Sequence, residues 1–315
     1  MTDPIPVALL GVPFTLVQAA AAGLTRKHLR GRRFVQVFRG VYVCAGVELT
    51  FALLVAAARL VLPADVALSH TSALRWRGVD VAPRLPLHFS TNTASRSTQR
   101  GIVLHRRQGH LSPTDVDGVP TLGPDRTLVD SATLLGFVAL VQAAEMLVHA
   151  GWTTADKLRA YADSVHLDGV LRARRAFAFV RDRVESPMET LLRLMLVFAR
   201  LSEPEANPDL LDEHGRFLGR VDLLYARWRV VVEYDGEWHD RSRNQRRHDR
   251  DRRQRIADAG WTVVVVMVED LSHPRLVVRR VHDALVAGGY AGPAPVFNDT
   301  WDRWFSPRFG DVRPV

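Results

Sequence analysis

Lysine is nearly absent from this chain. Of 42 basic residues only Lys27 and Lys157 are lysines, which leaves 40 arginines. No lysine follows Lys157, so an active site in the C-terminal half has none to use. Cysteine is scarcer still: Cys44 alone excludes an internal disulfide and any multi-cysteine zinc site, and it fits a reducing, cytoplasmic setting. The stretch MTDPIPVALLGVPF carries early prolines and no basic residues ahead of its apolar ones, so no signal peptide is expected. The longest apolar run, LTFALLVAAARLVLPADVAL, is interrupted by Arg59, Pro63 and Asp65. It reads as a core helix rather than a membrane span.

Positive charge is what the chain has in excess. Its 315 residues suggest about two or three domains, and a formal net charge of +8 points to nucleic acid or another polyanion as partner. In the first region, PFTLVQAAAAGLTRKHLRGRRFVQVFRGVYVCAG, Thr15 is placed to cap an alanine-rich helix that ends at Gly23. Thr25 caps a second helix with Arg26, Lys27 and Arg30. FVQVF and VYVCA then alternate as strands around a turn at Arg39-Gly40. Two helices, the second basic, followed by a hairpin describe a winged helix-turn-helix whose DNA contacts are Arg26, Lys27, Arg30 and Arg39.

From residue 48 to 183 the pattern reads as mostly helical, with helices expected over 49–62, 64–76, 124–135, 137–150, 154–162 and 169–183 and short strands over 86–90 and 101–106. Asp125, Arg126 and Asp130 are expected to cap and brace a helix start. His70, His105 and His110 lack metal-ligand spacing and are given no role.

Chemistry-bearing residues concentrate from residue 184 to 290. SPMETLLRLMLVFARL opens a helix with Ser186 at the N-cap, Pro187 at its first position and Glu189 at the third, a capping box. FLGRVDLLYARWRVVVEYDG reads as two antiparallel strands, Asp222 on the first and Glu233 and Asp235 sharing a face of the second. An arginine-rich helix ends at Gly260, and WTVVVVMV looks like a buried central strand. Between Arg241 and Asp258, eight arginines against three aspartates leave a surplus of five positive charges, suited to a phosphate backbone. Arg246, Arg250 and Arg252 are the expected contacts. The remaining stretch, 291–315, is rich in proline and aromatic residues and reads either as a tail pinned by Trp301 and Trp304 or as a flexible terminus.

Two resemblances follow from these residues. GLTRKHLRGRR…RGVYV, with the PxRTLVD pattern at 124–130, resembles the type IV abortive-infection antitoxin family, which implies operator binding and a protein partner of toxin kind. The ordered set of Glu189, Asp222, Glu233, Trp238-His239, Asp249, Arg252 and Gly260-Trp261 resembles the very-short-patch-repair-like branch of the PD-(D/E)XK nucleases. Together they imply an α+β multidomain protein. It comprises a winged helix-turn-helix at 1–47, an antitoxin-like body at 48–183, an α/β nuclease-like domain at 184–290 and a tail at 291–315.

Phosphodiester hydrolysis in such a domain needs an activated water and charge neutralisation, which a hard divalent cation supplies. Asp222 and Glu233 are then the expected ligands of Mg²⁺ or Mn²⁺, with Glu189 holding a metal-bound water. Where the superfamily has lysine, this chain has Asp235, a catalytic candidate as a further metal ligand or a base, and His239 becomes the expected general acid or base. The missing lysine leaves a second possibility open: a regulator or antitoxin whose nuclease fold has lost catalysis.

Overall fold

The computed structural model describes residues 5–236 and 243–306, with backbone only for residues 243–247. It is a mixed α/β structure that divides into two compact units: residues 1–135 with 165–170, and residues 136–164 with 171–315. Among the described residues no helix is long and apolar enough to cross a membrane.

The first unit begins with β1 (Phe14–Thr15), α1 (Leu16–Ala21), α2 (Arg26–Leu29), β2 (Phe34–Phe38) and β3 (Val41–Cys44). Both helices start as their capping residues dictate. Thr15 accepts from Gln18 N and Thr25 from His28 N, and in each case the third side chain returns a bond to the cap's N–H. The strands pair in the order β1-β3-β2, and Gly40 takes φ +83° at the turn that joins β2 to β3. Phe14, Phe34, Leu29 and Ala19 fill the small core beneath.

After α3 (Phe51–Arg59) come β4 (Ala67–Leu68), α4 (His70–Trp76), β5 (Leu87–Thr91), β6 (Ile102–Arg106), β7 (Thr114–Val116), β8 (Val119–Thr121) and α5 (Pro124–Ser131). The strands form one sheet in the order β6-β5-β4-β8-β7. Of these five strands only β5 and β6 match the expected ones, so residues 48–183 hold more sheet than their pattern implies. β4, β7 and β8 span two or three residues each, too short for alternation to register.

The second unit carries α6 (Phe137–His149), α7 (Ala155–Ser164), most of α8 (Val170–Phe177) and α9 (Pro187–Phe198). Arg193 of α9 is fully buried. It reaches Glu145 of α6 at 2.5 Å, Glu203 at 2.8 Å and the Phe179 carbonyl at 2.8 Å.

Then follow β9 (Glu205–Ala206), β10 (Asp209–Leu211), β11 (Phe217–Arg220), β12 (Leu223–Tyr225), β13 (Val230–Asp235), α10 (Arg243–Asp258), β14 (Thr262–Met267), α11 (Pro274–Ala287) and α12 (Asp299–Phe305). The sheet order is β14-β13-β12-β9; β12 and β13 are antiparallel, β13 and β14 parallel. So β14, expected at the centre, is an edge strand, and only its Val264 and Val266 are buried. Residues 291–306 are pinned through α12. The Trp301 indole donates to the Met195 carbonyl at 3.0 Å, and Trp304 stacks on Phe137 with centroids 4.4 Å apart.

Candidate functional site

One continuous strand was expected through RVDLLY, but the chain breaks at Val221-Asp222. β11 pairs with β10 in a separate two-stranded sheet, whereas β12 joins the four-stranded one. Asp222 sits in this crossing, just ahead of β12. Its carbonyl accepts from Asn207 N at 2.9 Å, and its carboxylate accepts from Tyr234 N at 2.8 Å. The break therefore turns the Asp222 side chain to the strand that carries Glu233.

Three further carboxylates meet there, all buried: Glu189, Glu233 and Asp235. Ser186 caps α9 by accepting from Glu189 N at 3.2 Å, but the reciprocal half of the expected box is displaced. The Glu189 carboxylate instead takes Glu185 N at 2.9 Å and the Asn207 side-chain amide. That bond draws Glu189 off the helix end and toward the acids. On β13, Glu233 and Asp235 lie two residues apart on one face, as alternation requires.

Two arginines of α10 answer them. Arg252 clasps Glu233 with bonds of 2.6 and 3.0 Å and also donates to the Arg220 carbonyl at 3.0 Å. Its stem crosses Gly219 so closely that a Cβ there would stand 3.1 Å from Arg252 Cδ. Arg253 reaches Glu233 at 3.1 Å and Asp235 at 2.7 Å. Four carboxylates and two guanidiniums leave two negative charges, if all are ionised. Burial pushes the Asp222 carboxyl up from 3.8 to about 6; Glu189 and Glu233 add to that push, while the Tyr234 N–H and Arg252 oppose it.

Glu189, Asp222, Glu233 and Asp235 are thus brought together. Arg252, expected to face phosphate, is committed to Glu233 because it emerges on the inner side of α10. Arg250 is exposed on the same helix, the side chain of Arg246 is not among those described, and His239 lies outside the described residues. Arg26, Lys27, Arg30 and Arg39 are all exposed in the first unit, Arg30 just past the end of the short α2. Asn207 and Arg253 were missed. Asn207 takes φ +48° in a loop whose sequence gives no hint of its contacts.

The first unit holds a second polar cluster that spacing did not reveal. His70, His88 and His105 place one ring nitrogen each within 4.8 Å of one another.

In similarity, the chain matches an uncharacterized protein of Mycobacterium tuberculosis, in strain CDC 1551 / Oshkosh and in strain ATCC 25618 / H37Rv. Each match is 27% identical over 198 residues, 62% of this chain and 71% of the relative. No protein-family model matches the chain, and no solved structure does.

Proposed function

We propose that this protein is a DNA-binding, Mg²⁺- or Mn²⁺-dependent endodeoxyribonuclease acting in DNA repair or phage defence. Its first region is read as a winged helix-turn-helix, and its second unit as a PD-(D/E)XK nuclease of the very-short-patch-repair-like kind. The observation that carries the reading is the convergence of Glu189, Asp222 and Glu233 from a helix, a strand break and a strand.

The donor set fits a hard cation: it is all oxygen, and its two surplus negative charges match one divalent ion. Asp222 and Glu233 would hold it. When bound, the ion lowers the pKa of a water and neutralises charge building on the phosphate. The chain's own groups do the rest. Glu189, fixed by Glu185 N–H and Asn207, offers a carboxylate to orient the attacking water. Exposed Arg250 and Arg255 on α10 face solvent as phosphate contacts, and Arg253 keeps Asp235 in place. His239 takes the general acid or base role that the missing lysine vacates.

The grip of Arg252 and Arg253 on Glu233 favours a second reading: a transcriptional regulator or antitoxin, with a toxin-like protein partner, whose catalysis is lost. Incubation with supercoiled plasmid and Mg²⁺ or Mn²⁺ separates the two. A nuclease nicks the plasmid, and Asp222→Ala and Glu233→Ala abolish nicking while DNA binding survives. DNA binding without metal-dependent nicking by the wild type supports the regulator.

A further inference from the structure

In the first unit, three elements carry one histidine each to a single point. His70 begins α4, His88 lies on β5 and His105 on the parallel neighbour β6. His70 and His88 are buried. The rings overlap: His70 and His105 stack with centroids 3.7 Å apart, and His88 and His105 at 5.2 Å. His88 Nδ1 stands 2.9 Å from His105 Nε2. Tetrahedral metal–imidazole bonds of about 2.0–2.1 Å place adjacent ligand nitrogens about 3.3 Å apart, so a small opening of this hydrogen-bonded pair would seat two ligands of one ion.

The surroundings agree with an occupant. His70 is held at φ +50°, a conformation that costs energy for a residue with a Cβ. Its Nδ1 is 2.9 Å from Ser69 Oγ, the outer contact that fixes a ligand ring's orientation. Ser90, in register with His105 and on the same strand face as His88, is fully buried. Its hydroxyl has no hydrogen-bond partner among the described residues.

Arg107, which donates to His70 Nε2 at 3.1 Å, opposes a cation, and Arg126 adds to that field. Asp130, fully buried, holds Arg107 at 3.1 Å and Arg126 at 3.0 Å and so offsets one of their two charges. Burial pushes His70 down to about 2, helped by His105, Arg107, His88 and Arg126, and His105 down to about 4, helped by His88 and Arg107; burial also lowers His88. The lowering favours the neutral form of each ring, in which one nitrogen carries a lone pair.

We propose that His70, His88 and His105 form a site for a divalent transition metal of the Zn²⁺ class. Three imidazoles with no carboxylate among them select such an ion over Mg²⁺, and three protein ligands leave a coordination position open. This site is independent of the acidic one in the second unit.

The test uses tag-free, chelator-treated full chain titrated with Zn²⁺ alone and observed by histidine ¹⁵N NMR and equilibrium dialysis. One equivalent is expected to bind, with ring-nitrogen shifts at His70, His88 and His105. His105→Gln and His88→Gln are each expected to weaken Zn²⁺ binding about 100-fold or more, beyond the effect of losing an outer contact. Asp222→Asn should leave it unchanged. The proposal is overturned if Zn²⁺ moves none of the three rings, if the ring shifts arise equally with Mg²⁺ or with inorganic phosphate, or if Asp222→Asn removes the bound ion. The wild-type NMR arm decides the matter even if a histidine variant fails to fold.

Discussion

Replacing Asp222 with asparagine is expected to stabilise the second unit at neutral pH in the absence of metal. The wild-type carboxyl is raised from 3.8 to about 6 by burial and by Glu189 and Glu233. At about 1.36 kcal/mol per pH unit, that rise amounts to about 3 kcal/mol against the folded state once the group is ionised. The sign follows from the folded value lying above the unfolded one. The group weighs nothing below the unfolded value; its penalty grows as pH climbs from the unfolded value to the folded one and is complete above it. The amide oxygen of the introduced asparagine can still accept from Tyr234 N, so the substitution removes charge without breaking that bond. Urea denaturation followed by tryptophan fluorescence is suitable, because six of the seven tryptophans belong to the second unit. In chelator, Asp222→Asn should exceed wild type by up to about 3 kcal/mol at pH 7.5, and the two curves should merge near pH 4. Mg²⁺ at about 1,000 times its dissociation constant should reverse the order, because it adds about 4.1 kcal/mol to the wild type alone. A variant less stable than wild type in chelator, or a difference that does not change with pH, would refute the reasoning.

Replacing Arg26, Lys27, Arg30 and Arg39 together with alanine should weaken DNA binding and lower the salt slope by up to about 3.6, at about 0.9 per phosphate contact; fluorescence anisotropy at several salt concentrations checks it, and an unchanged slope assigns DNA contact elsewhere. Arg193→Met should destabilise the second unit by about 3–5 kcal/mol, because Glu145 is left buried and unpaired. Adding Glu145→Met should recover most of that loss in the same urea assay.

The parts of the fold that could be read from sequence are those written within a few residues of one another. Thr15 and Thr25 each find their partner three residues on, and Ser186 does the same for Glu189. Gly260, at φ +81°, follows α10 closely, as a left-handed position past a helix end should. Failures came where pairing partners decide. WTVVVVMV is apolar throughout, and apolar content alone does not separate a central strand from an edge strand covered by helices. β14 packs against α10 and α11, which accounts for its composition with β13 as its one neighbouring strand among the described residues.

The acidic site was partly legible because β13 presents Glu233 and Asp235 by simple alternation, and because Asp222 precedes a strand that pairs directly with β13. The counter-charges were not. On a helix surface, Arg252 and Arg253 look no different from Arg250, and only the packing of α10 over β11 turns them toward Glu233. The consequence bears on both readings of function. If Glu233 is to receive a cation, the two guanidiniums must yield part of their hold, and a phosphate bound nearby offers them another acceptor of the same geometry. DNA would then favour metal entry and metal would favour DNA, since coupling between two ligands is reciprocal. If the arginines never yield, the same four carboxylates form a half-neutralised structural corner between α9, β13 and α10. The histidine cluster lies beyond such reasoning altogether. His70, His88 and His105 occupy separate elements, and it is the parallel register of β5 and β6, with Ser90 opposite His105, that brings them into contact.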